Sequence, residues 1–135
     1  MAAGRSTFNL SRTFVHLAPS GDAVPMKVDK AFWAALKGRR IDGRLAGVFR
    51  MSRNTSWEMY PDGDELLYLL SGAVDIALEE DGAARIVSMC AGTAYVVPRG
   101  TWHRLLVREI GNLLFLTPGP RREHRTARRA PSRSS

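Results

Sequence analysis

The sequence predicts one all-β domain of antiparallel strands, a sandwich or barrel. Three observations predict it. From about residue 43 onward, short apolar segments alternate with turn signals at the spacing of an antiparallel sheet protein. In one of them Val74, Ile76 and Leu78 alternate with Asp75 and Ala77, the period-2 pattern of a strand with one wet face, and the Asp81-Gly82 pair that follows supplies the positive φ a tight hairpin demands. No long helical periodicity lies between the segments. At 135 residues the chain is long enough for one domain with a real core and short for two.

In chain order, Thr13–Leu17 is a possible strand, placed to pair with a sheet edge or with a second subunit. A short helix is expected over Lys30–Lys37, with Asp29 as N-cap, Gly38 at the left-handed C-cap position, and Phe32, Trp33 and Leu36 forming an apolar face. Eight strands follow: Arg44–Met51, Thr55–Tyr60, Glu65–Ser71, Ala73–Leu78, Ala84–Met89, Thr93–Pro98, Trp102–Val107 and Asn112–Thr117. Leu66 to Leu70 is apolar at both parities, as expected of a central strand covered on both sides. The chain divides into an N-terminal extension (1–42), the β domain (43–117) and an arginine-rich tail (118–135).

A hydrophobic fraction of 44% with 24% charged residues belongs to a globular chain that folds. No apolar run reaches the roughly 18 residues of a membrane span, so neither a transmembrane helix nor a secretory signal is expected. Cys90 is the only cysteine, which excludes an internal disulfide and fits a cytoplasmic protein. It reads as a packed small hydrophobe. The net charge of +7 suggests nucleic acid until it is located. Between residues 118 and 135, six arginines face Glu123 alone, so the tail carries +5 and the body only +2. A tail of this composition reads as a solvated appendage, and nucleic acid is not the expected partner.

Two segments place ionisable residues where a strand should face inward. Glu58 and Tyr60 are two apart and project to one face; a turn over Pro61–Asp64 returns the chain so that Glu65 opens the next strand in the same region. In the second segment Pro98-Arg99-Gly100 turns the chain and His103 enters a mostly apolar strand. By alternation Trp57 and Trp102 point away from Glu58 and His103, and Arg104 lies opposite His103. Arg99, in the turn between Pro98 and Gly100, either holds an anionic ligand at the rim or is simply solvated. His16 and His124 have no ligand spacing.

These segments resemble the two motifs of the cupin superfamily. The first motif, Gly, five residues, His-x-His, three or four residues, Glu, six residues, Gly, is matched by Ser52, Glu58-Met59-Tyr60, Glu65 and Gly72, with both histidines replaced. The second, Gly, five residues, Pro-x-Gly, two residues, His, three residues, Asn, is matched by Gly92, Pro98, Gly100 and His103, with Val107 for Asn. The resemblance covers roughly residues 43–117 and implies a cupin, jelly-roll-like antiparallel β-barrel; the short helix before it is expected to pack on the barrel as a plug or clasp.

It also implies one divalent transition metal (Mn, Fe, Zn or Ni) and a small organic ligand inside the barrel. Carried over by position, Glu65 and His103 are standard ligands, Glu58 would serve as a second carboxylate, and Tyr60 is the poorest donor because its phenol must first lose a proton. The other reading is a metal-free polar pocket, in which His103 is the candidate acid or base and Tyr60 a proton donor. Function follows the same fork: a metal-dependent oxygenase or isomerase, or a non-catalytic cupin that binds a small molecule. Small cupins are often dimers, so a homodimer is expected.

Overall fold

Alternation decides which residues leave water, and two sheets built from it enclose one core. The computed structural model describes residues 6–32, 42–119 and 122–125. Its elements are β1 (Thr13–Leu17), β2 (Ala23–Lys27), β3 (Arg44–Met51), β4 (Trp57–Met59), β5 (Glu65–Leu69), β6 (Ala73–Glu80), β7 (Ala83–Cys90), β8 (Ala94–Val97), β9 (His103–Glu109), β10 (Gly111–Pro118) and β11 (Glu123–Arg125). One sheet runs β2-β1-β3-β10-β5-β8, the other β11-β4-β9-β6-β7, and every pairing is antiparallel.

The inward residues of the six-stranded sheet, among them Phe14, Leu45, Leu67, Leu69, Leu113 and Phe115, meet Val74, Ile76, Leu78, Met89 and Leu105 of the five-stranded sheet in a single buried cluster. Gly47 is what lets two aromatic rings meet in it. A Cβ there would lie 2.4 Å from the Phe14 ring, which packs edge-on against Phe115 with centroids 5.1 Å apart. The β6–β7 hairpin turns on Asp81 (φ 51°) and Gly82 (φ 80°), two consecutive left-handed residues as a two-residue reversal requires.

The expected jelly-roll barrel is not formed: neither sheet closes on itself, and among the described residues no pairing joins an edge of one to an edge of the other. The edge strands explain this. β2 carries Pro25, which has no N–H to give; β8 and β11 span four and three residues; and β7 presents Arg85 and Ser88 to solvent.

Every element among the described residues is a strand, so the expected N-terminal helix is not one of them. Asp29 accepts from the Ala31 N–H through its carboxylate and from the Phe32 N–H through its carbonyl, making a turn that carries Phe32 into the core against Phe14. Residues 33–37 of the expected helix lie outside the described residues. Nor is β5 covered on both faces: Tyr68 and Leu70 are exposed on its outer side.

β4 is shorter than the expected Thr55–Tyr60 because side chains replace the ladder. Thr55 Oγ1 and Asn54 Oδ1 accept from the Leu105 and Val107 N–H groups, occupying positions a strand backbone would take. No helix among the described residues is long and apolar enough to cross a membrane.

Candidate interior polar site

Register brings the ionisable residues together. Glu58 of β4 lies directly opposite His103 of β9, so the two side chains share the inner face of the five-stranded sheet. Glu65 opens β5 on the facing sheet. The two turn loops that carry these residues are joined twice, the Gly100 N–H donating to the Tyr60 carbonyl at 2.9 Å and the Arg99 N–H to Asp64 Oδ1 at 2.8 Å. Arg44 binds the Asp64 carbonyl at 2.9 Å. Asp64 therefore clamps one loop against the other, and Arg99 acts at the rim through its backbone.

The centre of the site is a buried ion pair. His103 Nε2 and Glu65 Oε1 are 3.0 Å apart, with relative exposures of 4% and 5% for the two residues. Thr117 of β10 donates its hydroxyl to the other Glu65 oxygen at 3.1 Å. His103 Nδ1 stands 3.1 Å from the Thr101 carbonyl. The Thr101 carbonyl can only accept, so Nδ1 carries a proton, and a carboxylate oxygen at Nε2 favours a second proton there. The energetics agree. Burial alone would lower the His103 pKa, but the hydrogen bond and charge of Glu65, helped by Thr101 and Glu58, hold it above the usual histidine value.

Tyr60 donates its hydroxyl to Glu58 Oε1 at 3.2 Å, and its ring lies 6.1 Å from that of His103. Burial, then the charges of Glu65 and Glu58, push its pKa well above 10.0 against the opposing pull of Arg122. Tyr60 is thus a neutral hydrogen-bond donor. The four residues expected at the site, Glu58, Tyr60, Glu65 and His103, occupy one region.

Sequence reading missed Thr117, Arg122 and His124. β11 pairs with β4 so that His124 opposes Glu58 and Arg125 opposes Trp57. The inward face of β11 therefore carries His124 beside Glu58, and Arg122 reaches the Tyr60 hydroxyl. Only the parity of the tail relative to Glu58 could have pointed to them. The remaining residues are peripheral. His16 Nε2 binds the Asp42 carbonyl, and Cys90, expected to be packed, is exposed on the edge strand β7.

The arrangement was compared with known proteins. No protein-family model matches the chain, and no curated protein matches it. Among solved structures, a cupin-2 domain protein from Shewanella frigidimarina superposes with TM-score 0.51 at 21% identity, over 60% of this chain and 78% of that one. The chain has a cupin-like fold. A conserved protein of unknown function from Streptococcus pyogenes aligns at TM-score 0.51 and 22% identity over 59% of this cupin-like chain and 68% of its own. Oxalate decarboxylase from Bacillus subtilis aligns at TM-score 0.55 and 18% identity over 62% of this chain. The match spans only 24% of the decarboxylase chain. At these identities the likeness is one of fold.

A metal of the kind the cupin resemblance implies does not fit the donors present. Among the described residues no group of three His, Cys, Asp or Glu is placed to hold an ion. Both nitrogens of His103 face acceptors, Glu65 is already bound through both oxygens, and Tyr60 is held in the protonated form that ligates poorly.

Proposed function

We propose that this cupin-like protein binds a small organic molecule, without a metal, at the interior group formed by Glu58, Tyr60, Glu65 and His103. The observation that carries the reading is the buried contact between His103 and Glu65, 3.0 Å apart, with the Tyr60 ring beside it. An ion pair inside an apolar core is commonly no more stable than well-packed hydrocarbon, and perturbed groups converging in one place favour a site over packing alone. The set offers an imidazolium, a phenol hydroxyl and a carboxylate, which suits a ligand with both hydrogen-bond acceptors and donors.

The test combines metal analysis with ligand screening. Protein purified without added metal should contain far less than one equivalent of Mn, Fe, Zn or Ni, and chelator should leave its melting temperature unchanged. A panel of small organic acids and polyols should contain members that raise the melting temperature of the wild type, and Tyr60→Phe should weaken that rise. Near-stoichiometric metal that is lost in His103→Ala would overturn the reading.

The raised His103 pKa favours a second reading, proton transfer at the same site. His103 would then act as acid and base and Tyr60 as the donor to a ligand oxygen. Deuterium incorporation from solvent into a bound carbonyl compound, abolished by His103→Gln, is its signature. The homodimer expected from the cupin resemblance belongs to the same proposal, read as twice the chain mass at sedimentation equilibrium.

A further inference from the structure

The tail segment that sequence reading left as an appendage is fastened to the molecule at β11, and both faces of that strand are engaged. Inward, Arg122 and His124 meet Tyr60 and Glu58. Both are exposed, whereas Tyr60 and His103 are buried.

On the outer face, Arg125 enters a slot made by two other strands and a loop. Its guanidinium carbon stands 3.9 Å from the centroid of the Trp102 ring and 5.8 Å from that of Trp57, and its Nη2 is 2.9 Å from Glu79 Oε1. The side chains of Arg125 and Glu79 are only 19% and 16% exposed. Stacking a guanidinium on indole while a carboxylate takes its N–H engages both the face and the edge of the group. Three paired residues would hold β11 poorly on backbone bonds alone, so the grip on Arg125 decides whether it stays.

We propose that β11 is a latched wall of the interior site. It sets Arg122 and His124 against the group that binds the small molecule, and Arg125, gripped by Trp102 and Glu79, is the latch whose release opens the way to His103. The proposal rests on the reading that this interior group is the binding site. Arg122 and His124 then face the entering ligand first and select for acidic oxygens at its leading end.

The test needs no ligand. In the full-length chain, Arg125→Ala removes the latch, and Glu79→Gln weakens it from the other side while leaving the tail intact. Two measurements are made on each: amide hydrogen exchange, and the rate at which diethylpyrocarbonate modifies His103, located by peptide mapping and followed from pH 7 to 9 because the reagent attacks only the neutral ring. Both variants should show at least tenfold faster His103 modification and faster exchange at residues 57–60, with residues 113–116 of β10 protected as in the wild type. Unchanged exchange at 57–60 would overturn the latch. Faster exchange there with His103 still slow would overturn the wall, and loss of protection at 113–116 would show that Arg125 holds the whole fold instead. Failure to find any small ligand would count against the binding reading and leave these outcomes as measured.

Discussion

His103 is one imidazole between two oxygen partners, and the rise in its pKa is the residue-scale feature on which the chemistry turns. Its folded pKa is raised, so its proton is bound more tightly in the folded chain than in the unfolded one. The stability this contributes is fully present below the unfolded value of about 6.5 and is lost as pH rises through the folded value. Urea unfolding between pH 5.5 and 9 should therefore show a free energy that falls across that rise. Glu65→Gln should cost about 1–3 kcal/mol at the acid end and flatten the fall, because it removes the charge that holds the proton. A wild-type stability that increases from pH 6 to 8 at this site would contradict the assignment. At this scale the sequence was informative where motif spacing placed Glu58, Tyr60, Glu65 and His103. It was silent on Thr117, whose hydroxyl meets Glu65 only because β10 and β5 are neighbours.

At the scale of elements, local pattern was legible and non-local pairing was not. β3 runs over Arg44–Met51 as expected, and the β6–β7 hairpin turns at Asp81-Gly82, because alternation and turn chemistry are written in adjacent residues. β2 escaped reading because Pro25 argues against a strand, yet an edge strand tolerates it. β11 escaped because three charged or polar residues form a strand only with β4 and the Arg125 slot already in place. The loop pair around the site is the element whose strength can be measured. Asp64→Ala removes the acceptor of the Arg99 N–H and should cost about 1 kcal/mol, with faster amide exchange at Arg99 and Gly100. Asp64→Asn retains an acceptor oxygen and should recover most of that loss. Equal effects of the two substitutions would mean that the clamp is not the hydrogen bond.

At the scale of the whole molecule, two open sheets with one core between them carry the site on their facing surfaces, Glu65 and Thr117 from one, Glu58 and His103 from the other. The resemblance that announced the cupin-like fold also suggested a closed barrel and a metal, and the capping pattern around Lys30–Lys37 suggested an N-terminal helix. Edge chemistry opened the barrel, every element among the described residues is a strand while residues 33–37 of the expected helix lie outside them, and replacement of the first motif's histidines by Glu58 and Tyr60 left a donor set unsuited to an ion. The proposed function requires that the His103–Glu65 pair joining the two sheets carry a proton and hold no metal. Nitrogen-15 NMR of the His103 side chain at pH 6.5, recorded before and after one equivalent of Zn²⁺, tests it most directly. Both ring nitrogens should report a predominantly protonated imidazolium where an ordinary histidine is half protonated, and zinc should leave them unmoved. A neutral ring at that pH, or a nitrogen shifted by coordination, would contradict it.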